Sequence, residues 1–442
     1  MSSPAPTVSS LLRAALPLIL AGLSSNLSIF VDRSILSHHD VNMMSHVTAA
    51  MNYCWTFLFA TTGITWISKV FIGQYNGAKQ YQKVTNMTWQ MMIFSLSTLI
   101  LFIPVAYLGA WIIPYMAHEH GLIYFQVLML GGCLWPMCSA LSSFFIGTYQ
   151  TKTVLISLIF SNLINVALDL YWIPSMGTYG AALATITSMV FQLIFLLGFF
   201  LNARNAKKYH TFNVQYHPKM MLQAIKLGLP ESLSHSCEML AWATVLNIIS
   251  TKGADYMVVT TLAQNLFILF MFVYSELGNA VKAMAANYIG ENLNALLPQL
   301  LRSAFIIHTS FMLCIGASLY FIPSWFMQLF ALNEQTQSLQ MVIITSLKGV
   351  MLFMFLDGLA YIFASFLAAF GDTVASMLIT ASNMWLFLVL PTYLLIHYYP
   401  TTAATHSLVV LPFYGVLTVI CYGLRHQVAK KQDVSVIGAT SL

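Results

Sequence analysis

The 442 residues of this chain are 59% apolar and only 7% charged, and the mean hydropathy is +0.77. Soluble proteins are about 25% charged, so the composition excludes a soluble globular fold and indicates an integral membrane protein. The net charge of +5 is not gathered into a basic surface interleaved with aromatic residues, which argues against nucleic-acid binding.

Twelve apolar stretches run along the chain, and each is long enough to cross a hydrocarbon core of ~30 Å. Backbone groups in lipid must be hydrogen-bonded within their own segment, and the stretches are continuously apolar, so helices are predicted and a barrel is not. The predicted spans are 11–31, 49–72, 87–111, 122–146, 154–172, 178–201, 227–249, 257–277, 304–321, 341–363, 374–396 and 407–424.

The positive charges are distributed unevenly between the two ends of these spans. With the N-terminus in the cytoplasm, 15 of the 18 Lys and Arg residues fall on the cytoplasmic side, Arg33 and Lys252 fall outside, and Lys348 falls within a span. Cytoplasmic loops of membrane proteins carry such an excess. We therefore expect both termini in the cytoplasm and an even number of spans.

The two halves of the chain resemble each other weakly. The segment RAALP at 13–17 is echoed by KLGLP at 226–230, and the pair SN at 161–162 by SN at 382–383. With six spans in each half, such a repeat is parallel and predicts a site between two bundles near mid-membrane. The predicted organisation is a six-helix bundle at 1–201, a cytoplasmic linker at 202–220 and a second six-helix bundle at 221–442.

Three polar side chains lie deep within the predicted spans of the first half. Asn165 and Asp169 are four positions apart on the fifth span, which places them on one helix face. Asp32 and Asp169 both come out about 25 Å deep at ~1.5 Å per residue. Two carboxylates and an amide oxygen suit a proton or Na⁺, since close carboxylates do not both ionise easily. The alternative is that Asp32 pairs with Arg33, or that these groups only join helices by hydrogen bonds.

A second set of polar residues lies in the other half. Glu231, His235 and Glu238 follow Pro230 on one face of the seventh span, and Asp357 lies deep in the tenth. Glu238 and Asp357 enter from opposite sides of the membrane, and we expect them to come together although the helix ends place them at different depths. His235 is a candidate proton relay, with a helix–helix hydrogen bond as the alternative.

No enzyme signature stands out. The six cysteines form no CxxC pair, so neither a zinc site nor a disulfide framework is indicated, and the HExxH motif is absent. A membrane-embedded enzyme is therefore disfavoured as the alternative function class. A channel is less favoured still, because acidic residues deep in both bundles suit alternating access better than a continuous pore.

The chain resembles the multidrug and toxic compound extrusion (MATE) family over nearly its whole length. The matching segments are LPLIL at 16–20 with FVD at 30–32, GQYNGA at 73–78, NVALD at 165–169 with GTYGAALAT at 177–185, LGLP at 227–230 followed by Glu238, and Asp357 placed fifteen residues before Asp372.

This resemblance implies an all-α membrane protein of twelve helices in two six-helix lobes around a V-shaped cavity, and export of organic cations in exchange for H⁺ or Na⁺. By resemblance, Asp32, Asn165 and Asp169 form a cation site in the N-lobe, and Glu238 and Asp357 form one in the C-lobe. Which lobe carries the coupling site, and for which ion, stays open.

The resemblance implies no cofactor and no metal beyond the coupling H⁺ or Na⁺. The expected partners are a small organic substrate and the lipid bilayer, with no nucleic acid and no obligatory protein partner. The expected location is a plasma membrane, the inner membrane in a bacterium. A flippase for a lipid-linked or anionic substrate is the alternative transporter, and it needs cationic residues in the central cavity, for which only Lys348 and Arg33 qualify.

Overall fold

The computed structural model describes residues 3–113, 118–321, 339–399 and 402–431, and all regular structure within these ranges is helical. We number the helices by membrane span. The first four are α1 Val8–His39, α2 Met43–Gly77, α3 Tyr81–Tyr107 and α4, which joins His120–Leu130 to Leu134–Gly147 at a bend of 48°. The helix Thr151–Phe200 forms both α5 (151–176) and α6 (178–200). The remaining spans are α7 Pro218–Ser250, α8 Ala254–Gly290, α9 Leu297–Phe321, α10 Gln340–Ala369, α11 Thr373–Tyr398 and α12 Ala403–Ala429.

The long helix Thr151–Phe200 turns back on itself at Gly177. Fifty residues of helix would measure about 75 Å at ~1.5 Å per residue, far more than a bilayer. Gly177 has φ 58° and ψ −134°, a conformation that only glycine adopts readily. The hydroxyl of Ser161 donates to the carbonyl of Ser188 at 2.9 Å, which shows that the two arms run side by side. The arms are thus two separate spans.

The span count agrees with twelve. By length and apolar composition, nine of the described helices can cross a membrane, and the two pieces of α4 add a tenth. The two arms at Gly177 count separately, which gives eleven. The twelfth is α7, whose 33 residues are long enough to cross but carry Glu231, His235 and Glu238.

One end of the bundle collects the basic residues, and we name it the basic end. It contains the linker 202–217, which packs on α3 because the hydroxyl of Thr85 donates to the carbonyl of Tyr209 at 2.6 Å. The N-terminal segment reaches the same end, where the hydroxyl of Ser303 on α9 donates to the carbonyl of Pro6 at 2.8 Å.

Three apolar cores hold the helices together. The largest is shared by both lobes and joins Phe71 on α2 and Phe144 on α4 to Val281 on α8 and Phe366 on α10. The second contains residues of α1 to α6 only, and the third contains residues of α7 to α12 only. The lobes therefore share a core towards the basic end and have separate cores towards the far end. This arrangement agrees with a V that is closed at the basic end.

A pair of crossed hydrogen bonds joins the lobes at the basic end. The side-chain amide of Gln74 on α2 donates to the carbonyl of Ala369 at the end of α10, at 2.8 Å. The side-chain amide of Asn287 on α8 donates to the carbonyl of Gly147 at the end of α4, at 2.9 Å. Gln74 and Asn287 lie 213 residues apart, the same spacing as between RAALP and KLGLP. The two bonds are thus equivalent under the internal repeat.

Two glycines allow this approach of the backbones. A Cβ atom added to Gly77 would overlap the carbonyl oxygen of Asn287, and one added to Gly290 would overlap the carbonyl oxygen of Gln74. These glycines are also 213 residues apart. The contact at the basic end is therefore made by the same surface of each lobe, with main chain against main chain.

Candidate functional site

The structure brings together the three polar residues that were predicted to form a site in the N-lobe. Asp32 lies on α1, and Asn165 and Asp169 lie on α5 with their side chains buried. The hydroxyl of Ser28 donates to the Oδ1 atom of Asn165 at 3.2 Å and thereby joins α1 to α5 at this level. The carboxyl groups of Asp32 and Asp169 face each other.

The protein itself does not satisfy these carboxyl groups. Asp169 is 1% exposed, and neither of its oxygens has a hydrogen-bond donor among the described residues; the same holds for the Oδ1 atom of Asp32. Arg33 is exposed and lies outside ion-pair distance of Asp32, which contradicts the simple pairing considered above. Burying a carboxylate without a partner is unfavourable. A proton shared by the two carboxyls, or a small cation bound between them, removes that penalty.

The oxygen ligands that this site offers suit a monovalent cation or a proton better than a transition metal. The site offers two carboxyl groups and the amide of Asn165, whose Oδ1 accepts a hydrogen bond and whose Nδ2 has no partner among the described residues. Within the same ranges there is no group of three or more His, Cys, Asp and Glu side chains that could hold a metal ion. Oxygen ligands alone fit a hard cation such as Na⁺.

The residues predicted in the C-lobe line a cavity of about 300 Å³ between the lobes. Asp357 on α10 accepts a hydrogen bond from the hydroxyl of Tyr274 on α8 at 2.6 Å. Glu238 and His235 on α7 are neighbours, with 3.5 Å between Nδ1 and Oε2. Both carboxylates face the same cavity, and no direct hydrogen bond between them is found in the described part of the chain. His235 packs edge-on against Trp66 of α2, at 5.2 Å between ring centres.

A group of charged residues whose association the sequence did not predict lies at the inner end of this cavity, towards the basic end. Lys282 on α8 forms an ion pair with Glu231 on α7, at 2.5 Å. Lys69 on α2 donates to the Oδ1 atom of Asn279 on α8 at 2.7 Å, and the amide of Asn279 donates to Glu276 at 3.2 Å. The bond between Lys69 and Asn279 connects the two lobes.

Both lysines had been counted among the loop charges of the cytoplasmic side. The structure instead buries them between the lobes, where Lys69 is 3% and Lys282 is 5% exposed. They are 213 residues apart, the spacing of the internal repeat. This spacing is visible in the sequence, and it indicates that the two lysines occupy equivalent positions in the two lobes. Lys348, the cation expected in the cavity, does not line it, and its ammonium lies 5.9 Å from the ring centre of Tyr320.

Two helical lobes are in contact at one end, and acidic residues lie in the N-lobe and in a cavity between the lobes. This is the architecture of multi-pass membrane transporters built from a repeated bundle. The MatE family model matches residues 17–172 and 230–394, one segment in each lobe. The chain belongs to the MatE family, and the resemblance predicted from its motifs is confirmed.

Two curated relatives are similar to this chain over most of their length. The chain is 21% identical to the probable multidrug resistance protein NorM of Thermotoga maritima, over 85% of this chain and 82% of that protein. It is 22% identical to the probable multidrug resistance protein YoeA of Bacillus subtilis, over 80% of this chain and 81% of that protein. The family relationship thus extends over most of each chain.

Solved structures confirm the fold. A crystal structure of MATE in complex with MaL6 superposes with a TM-score of 0.88 at 18% identity, covering 97% of this chain and 98% of that one. An outward-facing conformation of a multidrug resistance MATE family transporter gives a TM-score of 0.86 at 18% identity, covering 97% of each chain. The predicted all-α fold of twelve spans in two repeated lobes is confirmed, and the relatives found are transporters rather than enzymes.

Proposed function

We propose that the protein is a secondary active antiporter that exports lipophilic or cationic organic solutes in exchange for H⁺ or Na⁺. The observation that carries this proposal is the pair formed by the half-buried Asp32 and the buried Asp169, whose oxygens accept no hydrogen bond from an N–H or hydroxyl group among the described residues. A site of this kind gains stability when it binds a cation and loses stability when the cation leaves. Binding can therefore favour one arrangement of α1 and α5 over another.

The cavity between the lobes supports a cationic substrate. It is lined by four carboxylates, of Glu231, Glu238, Glu276 and Asp357, and by the ammonium of Lys282. Aromatic and Met side chains from both lobes form its walls, which suits flat apolar cations. The names of the curated relatives, multidrug resistance proteins, agree with such a substrate.

An anionic or lipid-linked substrate fits the cavity less well. Such a substrate needs cations that are free to meet it, and Lys282 is already held by Glu231 at 2.5 Å. Lys69 lies behind the cavity wall and donates to Asn279. The excess of carboxylates would repel an anion.

Efflux from proteoliposomes tests the proposed function. Purified protein is reconstituted with an entrapped fluorescent organic cation such as ethidium, and efflux is followed under an imposed pH gradient and, separately, under a Na⁺ gradient. We expect one of the two gradients to accelerate efflux at least about tenfold over protein-free vesicles. Equal rates with and without both gradients would contradict antiport.

We further propose that the protein lies in a plasma membrane with the basic end in the cytoplasm, because cytoplasmic loops are rich in Lys and Arg. In a variant with the six native cysteines replaced by serine, a cysteine introduced at exposed Phe212 in the linker is expected to resist an impermeant thiol reagent added to intact cells. A cysteine at exposed Asp255, at the far end, is the matched control and is expected to react. Reaction at position 212 and protection at 255 would reverse the orientation. The same orientation predicts that a cysteine introduced near Glu334 is labelled from outside, and this position lies outside the described residues.

A further inference from the structure

Glu276 on α8 is a cavity carboxylate that neither predicted cation site includes. Its Oε2 atom accepts a hydrogen bond from the amide of Asn279 at 3.2 Å. No Lys, Arg or His side chain of the described ranges lies within 4.0 Å of its carboxylate. Glu276 and Asn279 both line the cavity, so a solute there can reach them. A carboxylate in a low-dielectric site that forms no close ion pair attracts a cation.

The ammonium of Lys69 already lies beside this carboxylate. It donates to the Oδ1 atom of Asn279 at 2.7 Å and lies 6.0 Å from the ring centre of Trp66. An ammonium bounded by an aromatic ring, an amide oxygen and a nearby carboxylate has the surroundings that proteins provide for organic ammonium ligands. The side chain of Lys69 thus shows what kind of group the site accepts.

The two partners belong to different lobes. Lys69 lies on α2, next to the segment that contacts the C-lobe at the basic end, whereas Glu276 and Asn279 lie on α8. Lys69 has no carboxylate within 4.0 Å among the described residues, so the hydrogen bond to Asn279 is its principal anchor. Any separation of the lobes at the basic end carries the ammonium away from α8.

We propose that Glu276 and Asn279 form a binding site for the ammonium group of a transported organic cation, and that Lys69 fills this site while the lobes are closed at the basic end. The inference rests on the proposed export of organic cations and adds the residues that bind them. When the basic end opens, the site is released and a cation from that side binds. When it closes, Lys69 returns and expels the cation towards the far end.

This exchange gives the two states different affinities for the same substrate. A ligand biases a two-state protein only by such a difference. Because Lys69 is tethered, its effective concentration at the site is on the order of mM or above, so it displaces a weakly held cation without binding tightly itself. The direction of export then follows from the end of the cavity that Lys69 closes, because the cation is displaced towards the far end.

Equilibrium binding of ethidium to the purified full-length protein, followed by fluorescence anisotropy, tests the assignment. Lys69→Met removes the competitor and is expected to tighten the Kd about tenfold, whereas Glu276→Gln is expected to weaken it about tenfold. In the double variant Lys69→Met/Glu276→Gln, the tighter binding produced by Lys69→Met is expected to disappear, because the cation then lacks its carboxylate. Lys69→Gln keeps a donor for Asn279 and serves where Lys69→Met does not fold. Lys348→Met, which removes one positive charge away from the cavity, is the matched control and is expected to leave the Kd unchanged.

The outcomes separate the assignment from the proposed function. If the wild type binds ethidium and the Lys69 and Glu276 variants bind it equally well, the site is wrong and cation export stands. A gain in the Lys348 variant as large as that in the Lys69 variant also overturns the site, because it would reflect net charge alone. If neither the wild type nor any variant binds ethidium, cation export is contradicted and the assignment fails with it.

Discussion

Replacing Asp169 with asparagine is expected to abolish gradient-driven efflux, with a fall of at least about tenfold, while the protein still folds and inserts. Asparagine has nearly the same shape but cannot take up a proton or balance the charge of a cation. Asp169 is buried and its oxygens accept no hydrogen bond from an N–H or hydroxyl group among the described residues, so we expect the coupling ion to balance its charge. Asp32→Asn should act in the same way because the two carboxyl groups face each other.

A second measurement separates coupling from folding. If the wild type binds the coupling ion at this site, adding that ion raises its melting temperature, since a ligand at one hundred times its Kd stabilises by about 2.7 kcal/mol. The Asp169→Asn variant is expected to lose this ion-dependent shift and to keep a melting temperature close to that of the ion-free wild type. Asp255→Asn, at an exposed position of the far end, is the control. Wild-type efflux and an unchanged ion-dependent shift in both site variants would move the coupling site to Glu238 and Asp357.

Replacing Gly77 or Gly290 with valine is expected to reduce efflux by about tenfold or more, because it hinders closure of the basic end rather than binding of the coupling ion. A Cβ at either position overlaps a carbonyl of the opposite lobe, and that carbonyl belongs to a helix backbone that cannot simply rotate away. Overpacking of this kind costs about 1–3 kcal/mol, and ~1.4 kcal/mol already changes a population tenfold. The variants should therefore favour the state in which the basic end is open.

Thiol labelling can detect that shift directly. A cysteine introduced at Ala283, which lies in the shared core at the basic end, should become reactive towards a reagent applied from that side in the Gly77 and Gly290 variants. Gly198→Val provides the matched control, because nothing lies within 4 Å of the Cβ that would be added there. Wild-type efflux together with an unreactive cysteine would show that the close approach of the backbones is not needed for closure.

The sequence was sufficient for the fold because every step depended on local patterns. Each span is set by the length of its apolar stretch, and the order of the echoed segments revealed the repeat before the positions of the lobes were known. The proximity of Asp32, Asn165 and Asp169 was also predictable, since depth and helix face follow from counting residues along straight helices. The role of these residues in coupling stays a prediction.

The charged group at the inner end of the cavity could not be predicted in the same way. Lys69 and Lys282 lie near the cytoplasmic ends of their predicted spans, where a lysine usually faces water or lipid headgroups. Whether such a residue is exposed depends on what the other lobe places against it, and that information is not local. The bond from Lys69 to Asn279 crosses 210 positions of sequence and depends on how the two lobes are docked.

The shapes of the helices were also difficult to predict from the sequence. The bend of 48° within α4 and the extension of α1 to His39 lie in stretches whose composition alone predicts a straight span with a nearby end. The predicted spans 154–172 and 178–201 placed a reversal between them, but the sequence did not show that the single residue Gly177, with φ 58°, makes the turn. Backbone geometry at single residues is therefore where the sequence was least informative.

Because each lobe has an apolar core of its own, we expect mutations in these cores to change stability, and mutations in the shared core to change transport. If each lobe tilts as a rigid unit, side chains within its own core keep the same neighbours in every state. A cavity made there, for example by Leu58→Ala in the N-lobe or Phe353→Ala in the C-lobe, weakens all states alike and lowers the amount of folded protein without changing the substrate affinity of what remains. In the core that both lobes share, side chains change their contacts each time the lobes tilt. Inherited substitutions at those positions therefore alter the relative populations of the transport states even where the protein remains fully folded.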